Sequence, residues 1–171
     1  TLLETLYNSF DKIARHLGVF KVETIGDCYL ACCGLPESRA DHAVVMAKFS
    51  RKCLIKMNEV AHQLADALGP GTTDLAMRFG LHSGPVTAGV LRGERARFQL
   101  FGDTVNTTAR VETTGERGRI HISQETADLI IAAGKSRWVQ KREDKVVAKG
   151  KGELQTYWLD TRGGRTTVGS C

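Results

Sequence analysis

Three observations predict an α+β fold with a mostly antiparallel sheet and helices packed on one face. Apolar residues recur at spacings of three and four in some stretches and form β-rich runs in others. The strand-like runs come in pairs joined by Gly or Pro turns, which reads as hairpins. Helices and hairpins follow one another irregularly, without an internal repeat or a regular βαβ alternation. At 171 residues the chain is read as one domain over 1–159. A tail over 160–171, rich in Gly, Thr and Arg, has little to bury and is predicted to be disordered.

Leu2, Leu6, Phe10, Ile13 and Leu17 make one apolar stripe, so residues 2–17 read as a helix with Gly18 just past its end. Residues 19–25 and 28–33 read as strands of a hairpin around Gly26-Asp27. Pro36 ends it, and a long helix follows over about 40–67, closed by Gly69-Pro70-Gly71. Strands are expected at 74–82, 86–91 and 96–101, the first two joined through Ser83-Gly84-Pro85. Residues 103–113 read as a helix, 119–122 as a short strand, and 124–133 as a helix with Ser123 as its N-cap. Two strands, at about 137–147 and 154–159, complete the domain.

Composition excludes several classes. With 42% apolar and 25% charged residues the chain is an ordinary globular sequence rather than a disordered one. No run approaches the ~18 apolar residues of a membrane span, and the first residues lack the basic start of a signal peptide. Five cysteines are too few, and odd in number, for a disulfide framework, and they point to a reducing compartment. Cys28, Cys32 and Cys33 are close in sequence, but Cys32 and Cys33 would face opposite sides of a strand, so small buried hydrophobes are expected rather than a metal site. The net charge is +5, and residues 135–151 alone carry an excess of five positive charges. That suits either a polyanionic partner or a solvated hairpin.

Four segments carry possible chemistry. Asp27 sits at a glycine turn, where an uncovered carboxylate could hold Mg²⁺ or simply form the turn. Phe79-Gly-Leu-His-Ser-Gly-Pro-Val-Thr-Ala-Gly89 is a glycine-punctuated hairpin in which His82 reads as structural. Asn106 and Arg110 are four apart on the helix after Gly102-Asp103, so they share a face; Arg offers a planar fork suited to phosphate, and Asn an amide able to orient a hydroxyl. Lys149-Gly-Lys151-Gly could bring ammonium groups to phosphates, although the P-loop spacing is absent.

Taken in order, Lys21-Val-Glu-Thr-Ile-Gly-Asp27, Gly80-Leu-His-Ser-Gly-Pro-Val-Thr-Ala-Gly89, Leu100-Phe-Gly-Asp-Thr-Val-Asn106 with Ala109-Arg110, and Lys149-Gly-Lys-Gly-Glu-Leu-Gln-Thr-Tyr-Trp158 resemble the class III nucleotide cyclase catalytic domain, closest to its guanylyl cyclase branch. The resemblance covers about 1–159. It implies a ferredoxin-like core, a homodimer or heterodimer with sites shared between the chains, and conversion of a nucleoside triphosphate to a 3′,5′-cyclic monophosphate and pyrophosphate. Two ions, Mg²⁺ or Mn²⁺, are implied at each site. By position, Asp27 resembles a metal ligand, Asn106 the ribose-orienting residue, and Arg110 the cation that stabilises the transition state. Lys149 resembles the triphosphate-binding lysine, with Lys151 the second choice. Glu23 stands at the base-selecting position. A carboxylate only accepts hydrogen bonds, which suits the N1–H and N2 amine of guanine and not N1 of adenine. Gln99 stands where many guanylyl cyclases have Cys and many adenylyl cyclases have Asp, and its amide fits either base. GTP is the favoured substrate and ATP the alternative.

The resemblance also implies an opening strand with a first metal aspartate before the helix at 2–17, whereas the sequence given begins at Thr1 within that helix. The N-terminal strand is therefore expected to be missing, and this chain alone to turn over weakly. A non-catalytic subunit of a heterodimer is a further alternative, disfavoured because Asp27, Asn106 and Arg110 are all present. A nucleic-acid module is disfavoured because no exposed aromatic strand pattern is visible. The expected location is cytoplasmic, with any membrane link made only through flanking regions.

Overall fold

The computed structural model describes residues 2–69, 71, 76–91 and 97–160. The first half comprises α1 (Leu2–Leu17), β1 (Phe20–Ile25), β2 (Cys28–Cys32) and the long α2 (His42–Leu68). There follow β3 (Phe79–Leu81), β4 (Thr87–Leu91), β5 (Arg97–Phe101), α3 (Asp103–Thr113), β6 (Ile120–Ser123) and α4 (Gln124–Ala132). A 3₁₀ turn at Ser136–Trp138 leads into β7 (Val139–Lys141), β8 (Val146–Ala148), β9 (Gly152–Leu154) and β10 (Thr156–Leu159). The expected tail, apart from Asp160, lies outside the described residues.

A four-stranded sheet of order β3-β6-β10-β7 is antiparallel except for the parallel β3–β6 pair. Three antiparallel ribbons accompany it: β1–β2, β4–β5 and β8–β9. The expected single sheet is therefore divided among the described residues. Leu30 and Ala31 of β2 face Gly80 and Leu81 of β3 across two cavities of about 330 and 670 Å³ instead of pairing with them. The two long closing strands are also corrected to four short ones. Glu143 and Asp144 lie in the break between β7 and β8, and Gln155, whose amide donates to the carbonyl of Arg142, interrupts β9 and β10.

The core has two parts, and α2 belongs to both because its apolar residues occupy two faces. Val45, Phe49, Cys53, Met57 and Val60 pack with Leu6, Tyr7 and Phe10 of α1. Ala43, Ala47 and Leu54 pack with Leu81, Ile120, Ile122 and Ile130. Ile120, Ile122 and Ile130 are fully buried, each contributing roughly 1.5–3 kcal/mol of hydrophobic stabilisation. α2 and α4 thus share one face of the sheet, as expected. α3 packs on the other side of β3, where Gly80 leaves room for the backbone of Glu112.

The buried polar groups on that second side are satisfied. His121 Nδ1 donates to the carbonyl of Val111 at 2.6 Å, and Nε2 accepts from Thr156 Oγ1 at 2.7 Å, which fixes one neutral tautomer. The guanidinium groups of Arg119 and Arg142 stack on Trp158, at 3.8 and 4.9 Å from the ring centre. Ser123 caps α4 as expected, its oxygen accepting from the Thr126 amide.

Candidate active site

Gly26, with φ of +60°, makes the two-residue turn that puts Asp27 at the tip of the β1–β2 hairpin. Asp27 is exposed, and its carboxylate has no hydrogen bond or ion pair with any described residue. Its backbone carbonyl accepts from the hydroxyl of Tyr7 on α1. Glu23 is half-buried at a β-bulge in β1, opposite Leu30. Gln99, half-buried in the middle of β5, pairs with Gly89. β1 and β5 run within contact distance, so the strands bearing the two expected base-selecting residues come together in one chain.

Asn106 and Arg110 are both exposed on α3, without a hydrogen-bonded or ion-paired side chain among the described residues. A guanidinium and an amide left unpartnered on one helix face are available to a ligand. α3 is held in place by two close approaches. A Cβ at Gly80 would lie 2.4 Å from the backbone nitrogen of Glu112, and one at Gly84 would lie 2.7 Å from Thr104 Oγ1. The Thr104 hydroxyl donates to the Pro85 carbonyl at 2.6 Å, tying α3 to the Ser83-Gly84-Pro85 loop.

Asp27 borders the 670 Å³ cavity together with Val105, Thr108, Ala109 and Glu112 of α3. Asn106 and Arg110 do not line it. At ~100° per residue their face lies roughly 130° around the helix from the cavity side. Among the described residues, then, the carboxylate borders this cavity and the guanidinium does not.

The two lysines differ. Lys151 Nζ pairs with Asp103 Oδ2 at 2.6 Å, and the ammonium holds the Asp103 carboxyl below the usual range. Asp103 falls on the same side of α3 as Asn106 and Arg110, so Lys151 reaches the end of that face. Lys149 is exposed and makes no such bond among the described residues. Asp103 and Thr104 are positioning groups that sequence reading missed; their places in the first turn of the Asn106 helix were the available signal.

Other expectations meet a mixed outcome. His82 is structural, its Nδ1 2.8 Å from Ser123 Oγ, and burial lowers its pKa. The expectation that Cys28, Cys32 and Cys33 are small buried hydrophobes is corrected: Cys28 is exposed at the hairpin tip, Cys32 and Cys33 are only partly covered, and Cys53 on α2 is the buried one among the described cysteines. Burial pushes the Cys53 thiol up to about 12 and Cys32 to about 11, so neither is a thiolate at neutral pH. Cys171 lies outside the described residues. Among those residues no group of three or more His, Cys, Asp or Glu could hold a metal ion. A lone exposed carboxylate fits Mg²⁺, which takes one or two carboxylates and fills its shell with phosphate oxygens and water. No described helix is long and apolar enough to cross a membrane.

A family model for the adenylate and guanylate cyclase catalytic domain matches residues 1–161. The chain belongs to this family. Domains of this family use divalent metals. The receptor-type guanylate cyclase gcy-28 of Caenorhabditis elegans is 41% identical over 161 residues, covering 93% of this chain and 12% of its own length. This cyclase chain thus spans only a small part of such curated relatives. Among solved structures, the guanylate cyclase domain of RhGC from Catenaria anguillulae in complex with GTP matches with a TM-score of 0.75 and 40% identity, over 92% of this chain and 81% of that one. The adenylyl cyclase CyaB from P. aeruginosa matches with a TM-score of 0.81 and 27% identity, over 98% of this chain and 84% of that one. The cyclase fold expected from the four motifs is therefore the observed one.

Proposed function

We propose that this cyclase domain acts as a dimer that converts GTP to cyclic GMP and pyrophosphate. The observation that carries the reading is the unpartnered Asn106–Arg110 face of α3, turned away from Asp27. Two chains facing one another supply what one cannot: Asp27 from one, and Asn106 and Arg110 from the other. The identity to guanylate cyclases supports the reaction type.

In this arrangement Asn106 orients the ribose so that its 3′-hydroxyl lies in line with the α-phosphorus. A bond forms between O3′ and phosphorus, the bond to the pyrophosphate oxygen breaks, and the hydroxyl proton passes to solvent. Arg110 stabilises the charge that grows on the α-phosphate oxygens as this happens. Removing one such preorganised donor costs about 3–4 kcal/mol, or 10²–10³ in rate. Lys149 is free to meet the triphosphate, and Lys151, held by Asp103, is the second candidate. Asp27 would hold Mg²⁺ or Mn²⁺, with two ions per site. Bound metal neutralises triphosphate charge and lowers the pKa of an attacking hydroxyl. Glu23 accepts from the guanine edge, and Gln99 donates to O6. A triphosphate substrate and the free thiols among the described residues support a cytoplasmic location for the domain.

The test is a product assay on the full-length, dimeric protein with GTP or ATP and Mg²⁺ or Mn²⁺. Cyclic GMP as the main product supports the reading. Absence of both cyclic products contradicts it. Activity that appears only after mixing with another cyclase chain favours the heterodimer.

A further inference from the structure

The hairpin tip that carries Asp27 is not left to itself. We propose that Tyr7 and Asp11, one turn apart on α1, are positioning residues that hold Asp27 in place for its metal. This rests on the reading of Asp27 as a metal ligand.

The Tyr7 hydroxyl donates to the backbone carbonyl of Asp27 itself, twenty residues away. Tyr7 is 7% exposed, and its ring lies 5.8 Å from Phe10 and 5.2 Å from Tyr29, so the donor comes from a fixed side chain. Asp11 grips the same hairpin lower down. One of its oxygens accepts from the Tyr29 hydroxyl on β2 at 2.7 Å, and the other pairs with the Lys21 ammonium on β1 at 3.2 Å. The two strands are thereby tied to one helix at two levels.

Gly26 gives the turn freedom, and the Asp27 side chain is exposed, so little else orients the carboxylate. Fixing the carbonyl restrains the plane of the following peptide and, with it, the place of the Asp27 Cα from which the side chain departs. A metal ligand held in place before binding loses less freedom when the metal arrives. Tyr7 and Asp11 do not touch the metal or the nucleotide; they act through Asp27. α1 therefore sets where the ligand stands.

The experiment uses the full-length protein and two readouts: the Mn²⁺ midpoint for cyclase activity, and direct Mn²⁺ binding by loss of the free-ion electron paramagnetic resonance signal. Tyr7→Phe keeps the ring and removes only the hydroxyl. Its Mn²⁺ midpoint is expected to rise about three- to tenfold, the equilibrium value of one neutral hydrogen bond, with the nucleotide KM at saturating metal within about twofold. Asp11→Asn, which weakens the second grip, is expected to shift the midpoint in the same direction and serves if Tyr7→Phe does not fold. Ile130→Val, in the other core cluster, is the packing control: it lowers Tm and leaves the Mn²⁺ midpoint unchanged. On an Asp27→Asn background, Tyr7→Phe adds no further shift. If Asp27→Asn abolishes Mn²⁺ binding while Tyr7→Phe and Asp11→Asn both match wild type, the positioning role is overturned and the reading of Asp27 stands. If Asp27→Asn itself leaves Mn²⁺ binding intact, the reading of Asp27 fails, and the positioning role with it.

Discussion

Replacing Gly80 with alanine tests whether the packing of α3 against β3 sets the reaction geometry. The added Cβ would lie 2.4 Å from the backbone nitrogen of Glu112, 2.6 Å from its Cα and 2.8 Å from its Cβ. Ordinary contact begins near 3.4 Å, and two of the three atoms are backbone, so no rotamer change relieves the overlap. α3 and β3 must separate by about 1 Å, an overpacking change that costs about 1–3 kcal/mol of stability. Glu112 follows Arg110 by two residues, so the shift is passed to Asn106 and Arg110 on the same helix. A displacement of about 1 Å at reacting groups can reduce the rate 10²-fold. The assay is steady-state cyclic GMP formation by the full-length variant, with Tm measured in parallel. The expected result is a kcat lowered about 10²-fold in a protein that remains folded. A kcat within threefold of wild type, with the Tm depressed, would refute the argument: the overlap would then be relieved without moving the catalytic face.

Two further outcomes follow from the site and the core. Glu23→Lys with Gln99→Asp replaces a group suited to guanine and an amide that fits either base by a donor and an acceptor suited to adenine, and is expected to shift kcat/KM from GTP towards ATP; each good polar match is worth about 1–3 kcal/mol. An unchanged preference would remove both residues from the base pocket. Burial holds His121 and His82 below the usual imidazole range; the Val111 carbonyl opposes this at His121 while Arg142 reinforces it, and Glu125 opposes it at His82. Between the unfolded value near 6.5 and these lowered values the unfolded chain binds more protons, so stability is complete above pH 6.5 and falls as the pH drops below it. The slope is at most about 1.4 kcal/mol per pH unit for each histidine, and denaturant melts from pH 8 to 5 would contradict it by showing a flat profile.

Much of this structure is legible in the sequence where the signal is local. The stripe of Leu6, Phe10 and Leu17 gives the bounds of α1, and Gly102 gives the start of α3. Asn106 and Arg110 share a face because helical spacing alone puts them there. The closing strands were harder, because residues 137–147 are continuous in composition but broken by a turn whose Arg142 pairs with Asp144 at 2.9 Å. The first strand of the second half is shorter than the apolar run suggested: residues 76–78 are not strand, and 74–75 lie outside the described residues. Contacts that join distant segments left no trace in the pattern. Lys151 meets Asp103 across 48 residues, and Tyr7 meets Asp27 across 20. Such pairs depend on how elements pack, and neither spacing nor propensity encodes that. The placement of α3 opposite α2 and α4 likewise follows from Gly80, which on sequence alone reads only as a turn-permitting residue.

The most direct measurement mixes two inactive variants of the full-length protein, Asp27→Asn and Arg110→Ala, in equal amounts under conditions where subunits exchange. If each site takes Asp27 from one chain and Arg110 from the other, half of the randomly formed dimers are mixed and each has one intact site, so activity returns to about a quarter of wild type. No recovery, with subunit exchange demonstrated, would mean that both groups serve the nucleotide from the same chain, and the two-chain site would have to be given up.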